Sequence, residues 1–246
     1  MFIASFPAGV WQTNCYLLAT EPGAECVIVD PGMEALDTVV DVVAEHRLKP
    51  VAVVLTHGHL DHTFSVTPLC RSSDAACWIH VADRALLADP FAAMGPDAFA
   101  LVERLAPGST FVEPDTVHEL TDGATIAVAG LELSALHAPG HTPGSTMFSL
   151  DLSSMPGPRT DVESLVLSGD VLFAGSIGRT DLPGGSSVDM LESLRTKVLP
   201  LPDAVAILPG HGPQTTMARE RAHNPYLQAP YLQAPYLQDP SPRSPS

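Results

Sequence analysis

Val51-Ala52-Val53-Val54-Leu55 runs without a break into Thr56-His57-Gly58-His59-Leu60-Asp61-His62, and this junction decides the fold. The first five residues are apolar and rich in β-branched side chains, the composition of a buried strand. The chain therefore leaves a sheet and at once presents His57, His59, Asp61 and His62. All four are metal-ligand types: imidazole suits zinc and iron, and a carboxylate suits hard divalent ions. Gly58 reads as a tight turn between two imidazoles, letting His57 and His59 converge on one ion while Asp61 and His62 face another. The plainer alternative is a polar loop that happens to hold histidines. With 10 His in 246 residues, three within six positions directly after a strand count against it.

Toward the N-terminus, residues 2–6, 14–20 and 26–29 are β-prone apolar runs separated by turns, which predicts an antiparallel meander. Asp30-Pro31-Gly32 closes its third strand. Between 33 and 46 the apolar positions Leu36, Val39, Val40 and Val43 recur at helical spacing, so a helix is expected to lie on the sheet. A strand, a helix and a strand ending in ligands is an α/β pattern with its site at strand ends.

Toward the C-terminus the expectations are a helix over 61–70, a strand at 77–80, a helix at 82–88 and a helix-containing flap within 89–118. Strands at 124–129 and 131–138 lead into His137-Ala138-Pro139-Gly140-His141-Thr142-Pro143-Gly144, whose two Pro-Gly pairs pin a tight loop that projects His141. His80 reads as a packed or half-exposed strand-end residue, and His137 as structural or as a support behind the ligands. After a strand at 145–150 and a surface loop at 151–163, Leu165-Val166-Leu167-Ser168-Gly169-Asp170 is a buried strand ending in a carboxylate, which needs a cation partner. A Gly-rich run, 175–185, carries Arg179; a helix is expected at 187–198 and a strand at 204–208. Pro209-Gly210-His211-Gly212-Pro213 then delivers a further histidine. The Pro-Tyr-Leu-Gln repeats between 224 and 238 read as a flexible or polyproline-like tail, so the domain is placed at 1–225 and the tail at 226–246.

Composition narrows the function. The formal net charge is −16, from 12 Lys+Arg against 28 Asp+Glu, with no basic run, which argues against nucleic-acid or anionic-membrane partners. No stretch is long enough to span a bilayer, and the first 46 residues contain no Lys or Arg, so no export or transit leader is expected. Cys15, Cys26, Cys70 and Cys77 read as buried free thiols in a reducing, cytoplasmic setting, with a Cys70–Cys77 disulfide as the open alternative.

The ordered set Asp30, His57 to His62, His141, Asp170 and His211 resembles the metallo-β-lactamase superfamily over residues 1 to about 225. That resemblance implies an α/β four-layer αβ/βα sandwich, two mixed sheets flanked by helices. It implies two divalent ions per chain, with zinc favoured and iron or manganese as alternatives. His57, His59 and His141 would hold one ion, Asp61, His62 and His211 the other, with Asp170 bridging and Asp30 orienting the cluster from outside. The common zinc lactamases carry Cys where Asp170 stands, which argues against drug hydrolysis. The run Gly175 to Gly185, the 209–213 turn and Glu220-Arg221 with Asn224-Pro225 resemble the short form of glyoxalase II, the hydroxyacylglutathione hydrolases. The chain ends before the helical glutathione-binding domain of the longer enzymes.

The resemblance implies a thioester substrate attacked by a metal-bridging hydroxide, with Asp61 as a catalytic proton acceptor and Arg179 as an anchor for a substrate carboxylate. An internal ion pair of Arg179 with Asp181 or Asp170 is the competing expectation. Two other functions compete. One is a mononuclear iron persulfide dioxygenase using His57, His141 and Asp170. The other is a noncatalytic metal-stabilised module that recruits partners through the Tyr-rich tail. The oligomeric state is open.

Overall fold

Strands that are apolar on both faces need cover on both faces, and the chain supplies it with two stacked sheets and helices outside each. The computed structural model describes residues 1–95, 97–153 and 162–232. In the first half, β1 (Phe2–Ala8), β2 (Thr13–Ala19), β3 (Glu25–Val29), β4 (Lys49–Val54), β5 (Ala76–His80) and β6 (Val117–Leu120) form one sheet in that spatial order. The pairs among β1, β2 and β3 are antiparallel, and those from β3 to β6 are parallel. In the second half, β7 (Thr125–Val128), β8 (Leu131–His137), β9 (Thr146–Asp151), β10 (Ser164–Gly169), β13 (Val205–Pro209) and β14 (Thr215–Thr216) form the other. Its strands are antiparallel except for the parallel β10–β13 pair. β11 (Leu172–Phe173) and β12 (Ser176–Ile177) make a small hairpin after β10.

The two-residue period of the strands sorts their side chains into layers. From β2 to β4, Tyr16, Leu18, Val27, Val29 and Val54 face the other sheet, meeting Leu133, Phe148, Leu165 and Leu167. Their alternates Leu17, Ile28 and Val53 pack outward against Ala35 and Val39 of α1 (Ala35–His46). On the far side Met147, Val166 and Ile207 pack against Met190 of α5 (Ser187–Ser193) and Met217 of α6 (Met217–His223). The result is the expected four-layer sandwich of two mixed sheets between helices.

Several boundaries differ from expectation, for local reasons. The helix expected at 61–70 is broken into α2 (Leu60–Thr63) and α3 (Val66–Ser73). Ser65 breaks it by turning its N–H to the Pro31 carbonyl at 3.0 Å and its hydroxyl to the Gly32 carbonyl at 2.7 Å. Residues Val81–Leu87 form 3₁₀ turns, and the 89–118 stretch holds α4 (Ala98–Leu105) and runs into the unforeseen edge strand β6. After α5 the helix widens over Leu194–Val198, where Leu199 N–H bonds the Leu194 carbonyl at 2.9 Å.

The tail boundary at 225 is corrected. Pro225–Leu227 is a 3₁₀ turn and α7 (Ala229–Leu232) follows it. Leu227 is buried, and Tyr226, Tyr231 and Leu232 pack on the outer core of the second sheet, so burial of repeat side chains overrides the polyproline tendency of their prolines. The rest of the proposed tail, 233–246, lies outside the described residues, as do 154–161 of the expected surface loop.

Candidate metal centre

Every candidate ligand sits just past a strand end, and both sheets contribute. The first sheet delivers Asp30 after β3 and His57, His59, Asp61 and His62 after β4; the second delivers His141, Asp170 and His211 after β8, β10 and β13. His57, His59 and His141 converge: His59 Nδ1 lies 3.1 Å from His57 Nε2 and 2.8 Å from His141 Nε2. A second set forms beside it, with His211 Nε2 3.1 Å from Asp61 Oδ2 and 3.3 Å from His62 Nε2. Asp170 stands between them: Oδ1 is 3.4 Å from His62 Nε2, and Oδ2 is 3.5 Å from both His141 Nε2 and His211 Nε2.

The outer nitrogens of four rings are fixed by acceptors. His62 Nδ1 donates to Asp30 at 2.9 Å, His141 Nδ1 to the Arg179 carbonyl at 2.7 Å, and His211 Nδ1 to the Trp11 carbonyl at 3.1 Å. Carbonyl and carboxylate oxygens only accept, so each of these Nδ1 atoms carries a proton and each Nε2 faces inward. His57 is fixed at one remove. Thr56 Oγ1 donates to Asp30 at 2.6 Å and is left to accept from His57 Nδ1 at 3.1 Å. Asp30, whose other oxygen takes Thr56 N–H at 2.8 Å, thereby orients a member of each set.

This donor set fits divalent metal ions. In the three-histidine set the inward nitrogens of His57 and His141 crowd within 3.1 Å of His59 Nδ1, and Asp170 Oδ1 is buried without a hydrogen-bond partner among the described residues. His59 Nε2, its ring's outer nitrogen, faces the Ala93 backbone without reaching hydrogen-bond geometry. Three groups of such residues have ligand atoms within 4.8 Å of one another: His57–His59–His141, His57–His62–Asp170 and Asp61–His62–His211.

The protonation pattern of the bare cluster follows from the same geometry. Burial, reinforced by the neighbouring rings, holds the His57 pKa well below its ordinary value, and burial with His141 pushes His59 down to about 3. For His62 burial opposes charge, yet Asp61, Asp170 and Asp30 outweigh it and raise the pKa to about 10. His211 is raised likewise, burial being outweighed by its bond to Asp61 and by Asp170. Burial alone would raise Asp61, but His62 and His211 pull its carboxyl well below the usual range. Protons on the second set thus compensate the carboxylates, which is the task a cation would take over.

Beside the donor sets lies a cleft of about 300 Å³, lined by Trp11, Leu60, Met94, Arg179 and Leu182 together with candidate ligands. Arg179 reaches it already engaged: Nε and Nη2 each bond Asp181 at 2.7 Å, with both side chains mostly exposed. The Asp181 half of the ion-pair expectation is what the structure shows. Gly58 departs from its reading, since its φ is not left-handed and its need is for space beside Leu86 and Asp83. His80 and His137 stack on each other at 3.9 Å, outside the cluster.

Three supporting residues escaped the sequence reading. Thr13 donates to Asp61 at 3.1 Å, and Asn14 holds the histidine turn through the Pro209 and Gly212 carbonyls at 3.0 and 2.8 Å. Asp83, wholly buried, accepts from Gly58, Thr142 and Gly144. Only spatial neighbours reveal these roles; an isolated Thr, Asn or Asp carries no signal in sequence.

A two-sheet sandwich with paired histidine–carboxylate donor sets at its strand ends defines a class, and the comparisons agree with it. The family model described as metallo-beta-lactamase superfamily matches residues 8–211, and the chain belongs to that superfamily. Its fold and donor sets make it a metal-dependent hydrolase of that class. It is 42% identical over 229 residues to an uncharacterised protein of Mycobacterium tuberculosis, covering 93% of this chain and 98% of the relative. It is 32% identical over 236 residues to the hydroxyacylglutathione hydrolase GloC of Haemophilus influenzae, covering 93% and 99%. Among solved structures, the BLEG-1 B3 metallo-beta-lactamase matches with TM-score 0.76 and 33% identity, covering 92% of this chain and 99% of that one. TTHA1623 in a di-iron-bound form matches with TM-score 0.69 and 32% identity, covering 92% and 100%.

Proposed function

We propose that the protein hydrolyses a thioester of the hydroxyacylglutathione kind at two divalent ions. The observation that carries this reading is the pair of donor sets with Asp170 between them beneath an open cleft. A structural metal site is closed by its ligands, whereas this one leaves room above them for a substrate. The identity to GloC supports the thioester, and the di-iron form of TTHA1623 supports two ions, with zinc the alternative metal. His57, His59 and His141 would hold one ion and Asp61, His62 and His211 the other, with Asp170 shared. Ions so held lower the pKa of water toward about 7 and polarise a carbonyl.

The chain's own groups do the rest. Asp61, held by Thr13, is the more exposed of the two candidate ligand carboxylates that line the cleft, and it accepts the hydroxide's proton as the thiolate leaves. A thiolate is a good leaving group, so no strong acid is required. Trp11, Leu60, Met94 and Leu182 exclude water around the acyl group, and Arg179 anchors a substrate carboxylate through the guanidinium edge that Asp181 leaves free.

Thiol release from S-lactoylglutathione and from a panel of other thioesters by metal-loaded protein tests the reading. The expected kcat/KM for the best member is at least about 10⁴ M⁻¹s⁻¹. Oxygen uptake with glutathione persulfide, or ring opening of a cephalosporin, without thioester cleavage would overturn it in favour of a dioxygenase or a lactamase.

A further inference from the structure

Asp83 lies in the turns after β5, far from every candidate ligand in sequence, and is fully buried. Its Oδ2 accepts from the Gly58 N–H at 2.9 Å and from the Thr142 hydroxyl at 2.6 Å, and its Oδ1 accepts from the Gly144 N–H at 2.7 Å. Gly58 sits between His57 and His59, while Thr142 and Gly144 belong to the loop of His141. One carboxylate therefore grips both loops that carry the His57–His59–His141 set. Among the described residues no cationic side chain bonds it, so these three donors serve its two oxygens, and hydrogen bonds to a carboxylate are among the strong ones.

Both glycines fit this approach. A Cβ on Gly144 would lie 2.5 Å from Asp83 Cγ and 2.6 Å from Oδ1, and a Cβ on Gly58 would lie 2.7 Å from Leu86 Cδ1 and 3.0 Å from the Asp83 carbonyl oxygen. The other set is tied differently: His62 leans on Asp30, Asp61 on Thr13, and His211 on Trp11 and the Asn14-held turn. We infer that Asp83 is a positioning residue for one ion of the two. It sets the spacing between the first-sheet and second-sheet donors of the three-histidine set and leaves the Asp61–His62–His211 set to other supports.

Asp83→Asn keeps the shape and removes the match. An amide offers one acceptor oxygen, so its NH₂ must face either the Gly58 N–H, releasing that loop, or the Gly144 N–H, leaving the His141 loop held by the Thr142 hydroxyl alone; either orientation sets one backbone N–H against the amide and loosens the grip. The inference rests on the metal-site reading proposed above and not on the substrate. The test is competition with a chromophoric chelator for Zn²⁺ or Co²⁺, without substrate, in two single-set backgrounds. His211→Ala leaves the three-histidine set intact, and His59→Ala leaves the Asp61–His62–His211 set. In the first background Asp83→Asn should weaken the ion by about 10–100-fold, and in the second by no more than about twofold.

Gly144→Ala, which pushes the loop off Asp83 from the other side, should reproduce the selective loss. The unsubstituted backgrounds report on the donor assignment separately, and a failed thioester assay does not bear on the result. Equal weakening in both backgrounds would reduce Asp83 to a general packing role and overturn the inference. Undiminished affinity in the His211→Ala background with both variants would overturn it as well.

Discussion

Replacing Asp30 by Asn perturbs the hydrogen-bond relay behind the candidate ions with no change in side-chain shape. In the native protein Asp30 takes three donors: Thr56 N–H at 2.8 Å, Thr56 O–H at 2.6 Å and His62 Nδ1–H at 2.9 Å. If the new NH₂ faces His62, the ring must move its proton to Nε2, the atom that faces Asp61, Asp170 and His211, and its lone pair is lost to the ion. If it faces the Thr56 N–H, a buried backbone bond is lost and the charge behind His62 is gone in either case. The missing interaction is a hydrogen bond to a charged group, worth about 1.5–3 kcal/mol. At about 1.4 kcal/mol per tenfold, this is a 10–100-fold loss of metal affinity. Because Thr56 also receives His57, both ions should weaken, unlike the one-sided effect expected at Asp83. Stepwise constants from chelator competition give the answer. Affinity within about twofold of the parent at both sites would refute the relay.

Other outcomes follow from the same geometry. Arg179→Ala should raise KM for anionic thioesters several-fold with kcat unchanged, the pattern of uniform binding lost; metal content should hold, because His141 uses the backbone carbonyl of residue 179. An unchanged KM would confine Arg179 to its pair with Asp181. The native thiols should resist disulfide reagents at pH 8: burial pushes Cys26 and Cys70 up to about 12 and raises Cys15 and Cys77 well above the ordinary thiol value. Labelling should therefore appear only on unfolding, and rapid modification of the folded protein would contradict their burial. Leu227→Ala should cost about 2–4 kcal/mol and lower Tm by several degrees, and deleting 229–246 should lower it less, since Tyr231 and Leu232 are only partly buried. A melting curve unmoved by Leu227→Ala would show that the repeat does not dock.

The ligand positions were legible because their signals are local. His57 to His62 are crowded into six residues, and His141, Asp170 and His211 each follow an apolar run that can only be a strand end. The sandwich was legible for a related reason: β2, β3 and β4 are apolar at successive positions, which requires cover on both faces. What sequence hid depends on distance. Asp83 meets its partners 25, 59 and 61 residues away. β6 pairs with β5 while carrying His118 and Glu119 on an exposed edge, so no apolar alternation marks it. The docking of Tyr226 to Leu232 depends on a hydrophobic patch built from β10, β13 and α6, which no local pattern in the repeat announces.

The division of donors between the two sheets bears on when metal can be acquired. During synthesis the first sheet emerges with His57, His59, Asp61 and His62 already in place, yet each set then holds only two of its three members. A nascent N-terminal half would thus be a poor competitor for a divalent ion, and tight capture would wait until His141 and finally His211 have been made and the second sheet has docked. If these donor sets hold metal, metallation would be the closing event of maturation, and the metal content of a purified sample would report how completely the two halves have come together.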